Sequence, residues 1–242
     1  VPERFAVQRA TLHATGALAH NAFRSAIAGA LALLVCIAAA SELGFSRRVG
    51  PGLIAAHVAR FGAEARPRLD GWVRYAAQAA RERKAEAMAD PLARVQQLNT
   101  FVNRVRFVSD LEHWGAEDYW ATPSETYASG AGDCEDYSIA KYFLLKELGE
   151  PVSRLRITYV RASSIGQAHM VLAYYPRPES EPLILDNLQD QVKPASARPD
   201  LEPVYSFNDE DLVLARSGRR ASPLQVRAWR ELVARLEAEA RL

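Results

Sequence analysis

Gly130-Ala-Gly-Asp-Cys-Glu-Asp-Tyr137 sets one thiol, Cys134, where a glycine-containing turn gives way to a helix. That helix starts at Asp133 or Cys134 and runs to Leu148, where Gly149 stops it and Pro151 follows. Tyr137, Ala140, Phe143, Leu144 and Leu148 supply its core face. Beyond it the hydrophobic period shortens to two. Strands are expected over 154–160, 168–175 and 182–188, and the proline-rich stretch between the last two makes them an antiparallel hairpin. His169 lies on the second strand and Asp186 on the third.

Ahead of the cysteine, residues 67–88 read as a helix with Trp72, Tyr75, Ala76, Ala79 and Ala80 on one side. Asp90-Pro91 opens another by the N-cap and first-turn proline rule, with a stripe of Leu92, Val95, Leu98, Val102 and Val105. The aromatic stretch 107–127 is expected to be a loop with one helical turn near Thr122-Pro123. On aromatic content alone it covers the core rather than walling a cleft. After Asp186, residues 187–205 are expected to be loop-rich with short edge strands, and Ser222-Pro223 to cap a last, charged packing helix reaching Leu242. Helices, then a cysteine helix, then an antiparallel sheet make an α+β domain.

The 242 residues are 49% apolar and 24% charged, enough for a core and far from bulk disorder. A net charge of +1 argues against nucleic acid as a partner, since that needs a basic face. Arg24 precedes an apolar run from Ala26 to Ala40, and small residues at Ala38 and Ala40 fit a cleavage pattern. The run is short for a bilayer span of about 20 apolar residues. Residues 1–45 are therefore assigned to a secretory signal, with an uncleaved membrane anchor or a buried helix as alternatives. Residues 46–242 form the folded domain. With Cys36 inside the apolar run, removal of the signal leaves Cys134 as the one thiol, which cannot form an internal disulfide.

Cys134, His169 and Asp186 are the ingredients of a Cys-His-Asp nucleophilic site. A helix N-terminus favours the thiolate, and its unpaired amides, Cys134's own among them, suit an oxyanion. Singly, His169 is as ordinary as any edge histidine and Asp186-Asn187 as any strand-to-turn pair; the joint arrangement carries the reading. Asp133, Glu135 and Asp136 work against a thiolate unless a cation offsets them. Three hard carboxylates at a turn suit calcium, and they equally suit the positive end of a helix dipole.

Residues 114–125, 132–142, 168–175, 185–188 and 203–208 resemble the bacterial transglutaminase-like cysteine proteinases, over a match from about 92 to 208. The resemblance implies a papain- and transglutaminase-like fold, with a cysteine-bearing helix packed on an antiparallel sheet and helices N-terminal to it. It implies Cys134 as nucleophile, His169 as general base and Asp186 as orienting acid, and calcium held through Asp133, Glu135 and Asp136. It further implies a periplasmic endopeptidase that cuts the N-terminal region of a large repeat-rich surface adhesin after paired alanines, releasing it and dispersing a biofilm. The expected inhibitory partner is an inner-membrane receptor for cyclic di-GMP. Transglutaminase or deamidase chemistry by the same triad, and a non-catalytic calcium-responsive binding module, are the competing readings.

Overall fold

A computed structural model describes residues 49–84 and 90–242. The signal or anchor assigned to 1–45 and the end of the helix expected at 67–88 lie outside the described residues. Three helices come first: α1 (Pro51–Phe61), α2 (Ala65–Lys84) and α3 (Pro91–Val102). The buried residues of α2, Ala65, Leu69, Trp72 and Ala76, fall three or four apart, so one stripe faces the core. Asp90 caps α3 by accepting the Leu92 N–H at 2.9 Å. Val95, Leu98 and Val102 are buried as the stripe predicts, whereas Leu92 in the first turn stays exposed and Val105 lies past the helix end.

Two short strands, β1 (Arg106–Phe107) and β2 (Ala131–Gly132), pair in parallel. Between them lie α4 (Asp110–Trp114) and α5 (Pro123–Ser129), so the aromatic stretch holds two short helices rather than one turn. Thr122 and Glu125 form a reciprocal capping box at the start of α5. Trp120 is buried and stacks on Phe207 with ring centroids 5.7 Å apart, so this aromatic does cover core.

The cysteine helix α6 (Cys134–Glu147) packs on the main sheet. The sheet's strands are β3 (Leu155–Ala162), β4 (Gln167–Tyr174), β5 (Leu183–Leu185), β6 (Lys193–Pro194), β7 (Leu201–Phe207), β8 (Leu212–Leu214) and β9 (Arg220–Ala221), in the order β6-β5-β4-β3-β7-β8-β9. Every neighbouring pair is antiparallel. With α3 and α5 also against it, α6 is buried on most sides; Tyr137, Ile139, Ala140, Tyr142, Leu144 and Leu145 all lie in the core.

Two expectations for the sheet change. The strand expected at 182–188 is only three residues long, so Asp186 sits just past its end. The stretch expected to be loop-rich contains β6 and most of β7, a seven-residue partner of central β3. Pro203, which has no N–H to give a ladder, hides that strand in the sequence. It is tolerated because the register shifts beside it: Tyr159 faces Tyr205 and Val160 faces Pro203, so Val204 is a bulged extra residue.

The final helix α7 (Arg227–Glu239) starts later than expected; Ser222 caps a single 3-10 turn first. Trp229, Leu232 and Leu236 are its buried stripe. Trp229 stacks on Phe143 and meets Tyr142 and Phe207 edge-on. Among the described residues no helix is long and apolar enough to cross a membrane.

Candidate active site

The turn bearing the cysteine is held from both sides. Gly130 ends α5 in the left-handed region, at φ 73°, which lets the chain reverse into β2. The Arg106 N–H donates to the Gly130 carbonyl at 3.2 Å and the Val108 N–H to the Gly132 carbonyl at 3.0 Å. The Tyr137 hydroxyl donates to the Val105 carbonyl, tying α6 to the same segment. Gly132 is required for a different reason. A Cβ there would lie 2.7 Å from Asp136 Oδ2, so only glycine leaves room for that carboxylate. Asp136 is fully buried; it accepts the Ala121 N–H at 2.7 Å and the Asp133 N–H at 3.3 Å.

Cys134 is the first residue of α6 and is partly buried. Its thiol donates to Glu135 Oε2 at 3.0 Å and faces the Met170 N–H of β4. Burial pushes the thiol's pKa up, the Glu135 carboxylate and its hydrogen bond push it further, and Asp133 adds to this; the Met170 amide opposes them. Among these carboxylates alone, the sulfur keeps its proton.

His169 precedes Met170 on β4, so the imidazole and the backbone amide that meets the thiol are adjacent. Asp186 reaches the same place from the end of β5. Leu172 pairs with Leu185, which sets Asp186 diagonally across from His169. His169 Nε2 and Asp186 Oδ1 are 2.7 Å apart, and both side chains are nearly inaccessible. Burial alone would raise Asp186, but His169, the Leu188 N–H and Arg198 more than offset it and bring the carboxyl to about 2. An ionised carboxylate can only accept, so Nε2 carries the proton and Nδ1 is left as the basic nitrogen. The structure thus brings His169 and Asp186 into direct contact and sets the Cys134 thiol against the next residue of the histidine's strand.

The acids beside the cysteine form a larger cluster than the sequence suggested. Asp110, Asp133 and Asp136 bring carboxylate oxygens within 4.8 Å of one another, as do Asp110, Asp118 and Glu135. Asp110 opens α4; it is buried and accepts the Tyr119 N–H. Its own N–H donates to Asp133 Oδ2 at 3.3 Å. Burial raises Asp110 to about 6, with Asp133 and Asp118 adding repulsion. Asp133 and Glu135 are raised too, by burial first. Asp110 Oδ1 and Asp133 Oδ1 are buried with no hydrogen-bond partner among the described residues. Crowded, desolvated, unpartnered carboxylate oxygens fit a hard divalent cation, which would supply the missing charge and ligand field. Asp133, Glu135 and Asp136 belong to this cluster. Asp136 also serves as a helix cap, so its oxygens are partly committed.

Three residues escaped the sequence. Asp110 and Asp118 arrive through the β1–β2 pairing, a contact of 23 residues' separation between Asp110 and Asp133 that no local pattern encodes. Arg198 donates from Nη2 to Asp186 Oδ2 at 2.8 Å. One more cation lies nearby. Lys141, two turns along α6 from Cys134, is wholly buried; its Nζ is 5.8 Å from the Tyr137 ring centroid and has no hydrogen-bond partner among the described residues. Burial brings it down to about 7, against the pull of Asp186 and Asp190.

A family model described as bacterial transglutaminase-like cysteine proteinase matches residues 73–200. Among solved structures, Legionella pneumophila LapG treated with EGTA is 37% identical, over 76% of this chain and 96% of that one, with a TM-score of 0.64. Calcium-bound Legionella pneumophila LapG is 39% identical, over 76% and 97%, with a TM-score of 0.62. No curated protein matches. The expected fold, a cysteine-bearing helix packed on an antiparallel sheet, agrees with these neighbours.

Proposed function

Because this chain belongs to the bacterial transglutaminase-like cysteine proteinases, we propose that it is a calcium-dependent endopeptidase in which Cys134 is the nucleophile, His169 the general base and Asp186 the acid that orients it. The carrying observation is the His169–Asp186 hydrogen bond, one residue along β4 from the amide that meets the Cys134 thiol. His169 Nδ1 takes the thiol proton, and the sulfur anion attacks the carbonyl carbon of the scissile peptide. The developing oxyanion is met by N–H groups at the start of α6, Cys134's among them. The imidazolium then protonates the departing amine, leaving a thioester on Cys134. A water that gives its proton to Nδ1 hydrolyses that thioester, releasing the carboxylic acid and restoring the thiol. Asp186 stays ionised throughout and supports the imidazolium.

Asp110, Asp118, Asp133 and Glu135, with Asp136 behind them, would hold the calcium. Its charge would offset the carboxylates that otherwise keep the sulfur protonated. Support comes from the unpartnered acid oxygens and from a calcium-bound relative.

The proposed substrate is the N-terminal region of a large repeat-rich surface adhesin, cut in the periplasm so that the adhesin is released and the biofilm disperses. The proposed inhibitory partner is an inner-membrane cyclic di-GMP receptor. These rest on the family resemblance carried by residues 114–125, 132–142, 168–175, 185–188 and 203–208 and, for export, on the apolar run of residues 26–40. The test is incubation of the protein with the N-terminal part of the largest repeat-rich surface protein of the same cell, in calcium and in EGTA, read by mass spectrometry. Two fragments that together gain one water, absent with EGTA or with Cys134→Ala, are expected. Cleavage by Cys134→Ala would remove the nucleophile assignment, and cross-linked or deamidated product would favour acyl transfer to another acceptor.

A further inference from the structure

Asp186 is gripped as tightly by a cation as by the histidine. Oδ1 accepts from His169 Nε2 and from the Leu188 N–H at 2.9 Å, and Oδ2 accepts from Arg198 Nη2 at 2.8 Å. Arg198 is itself nearly buried and held in a fixed plane. Its Nε donates to Asp200 Oδ1 at 3.0 Å and its Nη2 to Asp200 Oδ2 at 2.9 Å, a two-point contact. Asp200 is in turn anchored to the β3–β4 turn, where the Ser163 N–H donates to the Asp200 carbonyl at 2.9 Å. The main chain of Asp186 is fixed separately, by Asn103 Nδ2 on its carbonyl at 2.9 Å. The carboxylate therefore cannot rotate about its own axis without losing the guanidinium.

We propose that Arg198 is a positioning residue for the proposed triad: through Asp200 and its planar fork it holds Asp186 with Oδ1 presented to His169, and so selects the Nε2–H tautomer that leaves Nδ1 basic. This rests on the endopeptidase reading of the site. The geometry explains why an arginine is needed. A lysine ammonium is a point charge and cannot meet Asp200 at two points while reaching Asp186 in the same plane. It also accounts for the burial of Asp186, since a buried carboxylate held only by a neutral imidazole and the Leu188 N–H would lack a compensating charge at Oδ2.

The experiment compares the parent with Arg198→Met, both calcium-loaded, and with Arg198→Lys as the variant that keeps the charge should the methionine protein fail to fold. Two readouts are taken. In the Cys134→Ala background, with ¹⁵N-histidine labelling, the parent is expected to show a far-downfield Nε2 proton for His169, and Arg198→Met to lose it by tautomer mixing. With Cys134 intact, kcat on the adhesin fragment is expected to fall about a hundredfold, as misplaced catalytic groups do, while KM stays within about twofold. Methylguanidinium is expected to restore part of the rate in Arg198→Met. Arg198→Lys should show a smaller change of the same kind. An Arg198→Met protein that keeps the His169 proton signal, and loses activity only in proportion to its folded fraction, overturns the proposal and leaves Arg198 a purely structural residue. If the parent cleaves nothing, the endopeptidase reading fails while the proton signal still decides whether Arg198 sets the tautomer.

Discussion

Replacing Lys141 with methionine should make the protein more stable, and by an amount that depends on pH in a defined way. The side chain is wholly buried without a hydrogen-bond partner among the described residues, and the ammonium form is disfavoured enough to bring the group from 10.5 to about 7. Below pH 7 the lysine is protonated in both folded and unfolded chains, and the folded chain carries the whole penalty. At about 1.4 kcal/mol per pH unit, the interval from 10.5 to about 7 sets a ceiling of roughly 5 kcal/mol. Between pH 7 and 10.5 the unfolded chain binds the proton and the folded one does not, so stability of the parent rises with pH; above 10.5 the penalty is gone. Methionine removes the charge at nearly constant volume. Exchanging a buried ion pair for apolar residues returns up to about 4 kcal/mol; for this lone charge the gain at pH 6 should be positive and stay below the roughly 5 kcal/mol ceiling. For a chain of this size that is about 2–4 °C in Tm per kcal/mol. Urea unfolding of both proteins at pH 6, 8 and 10, followed by circular dichroism, measures it. The difference should shrink steadily toward pH 10.5. A variant less stable than the parent at pH 6, or a difference that ignores pH, would refute the reasoning and show Lys141 to be charged and well partnered in the folded protein.

Other outcomes follow from the same geometry. Gly132→Ala drives a methyl to within 2.7 Å of Asp136 Oδ2; it should cost about 1–3 kcal/mol by overpacking, read by thermal denaturation, and should lower activity beyond the loss of folded protein. Asp110→Asn keeps the acceptor for the Tyr119 N–H but removes one charge; isothermal titration calorimetry should show calcium affinity reduced about tenfold or more, with melting in EGTA unchanged or raised. Trp229→Ala opens a cavity between Tyr142, Phe143 and Phe207; it should cost about 3–5 kcal/mol, and in chemical denaturation the midpoint should fall while the cleavage rate per folded molecule changes little.

What the sequence revealed and what it hid follow a physical division. The helix at Cys134, its stop at Gly149 and the cap at Asp90 are set by neighbours a few residues apart, and all are legible. The β4–β5 hairpin, at whose end Asp186 lies, is legible too, because its strands are neighbours along the chain. Strand β7 was hidden by Pro203, since the bulge at Val204 that tolerates it is a property of the partner β3 and not of the local pattern. Helix α1 is not legible in the sequence, because its three buried residues, Leu53, Ile54 and His57, make too short a stripe to separate from chance. Asp110, Asp118 and Arg198 each look like ordinary surface charges in the chain. They become site residues only through long-range contacts, which is also why the acid cluster is wider than the three carboxylates flanking the thiol.

The last helix reaches the site's surroundings from far along the chain. Arg235 donates to the Trp120 carbonyl and Glu239 accepts from the Thr122 hydroxyl at 2.6 Å, so α7 grips the segment whose amides at Tyr119 and Ala121 cradle Asp110 and Asp136. Chain made more than a hundred residues after the cysteine thus braces the floor beneath it. A chain cut before Arg235 would keep Cys134, His169 and Asp186 yet lose the only side-chain grips that α7 places on the Trp120–Thr122 backbone and hydroxyl among the described residues.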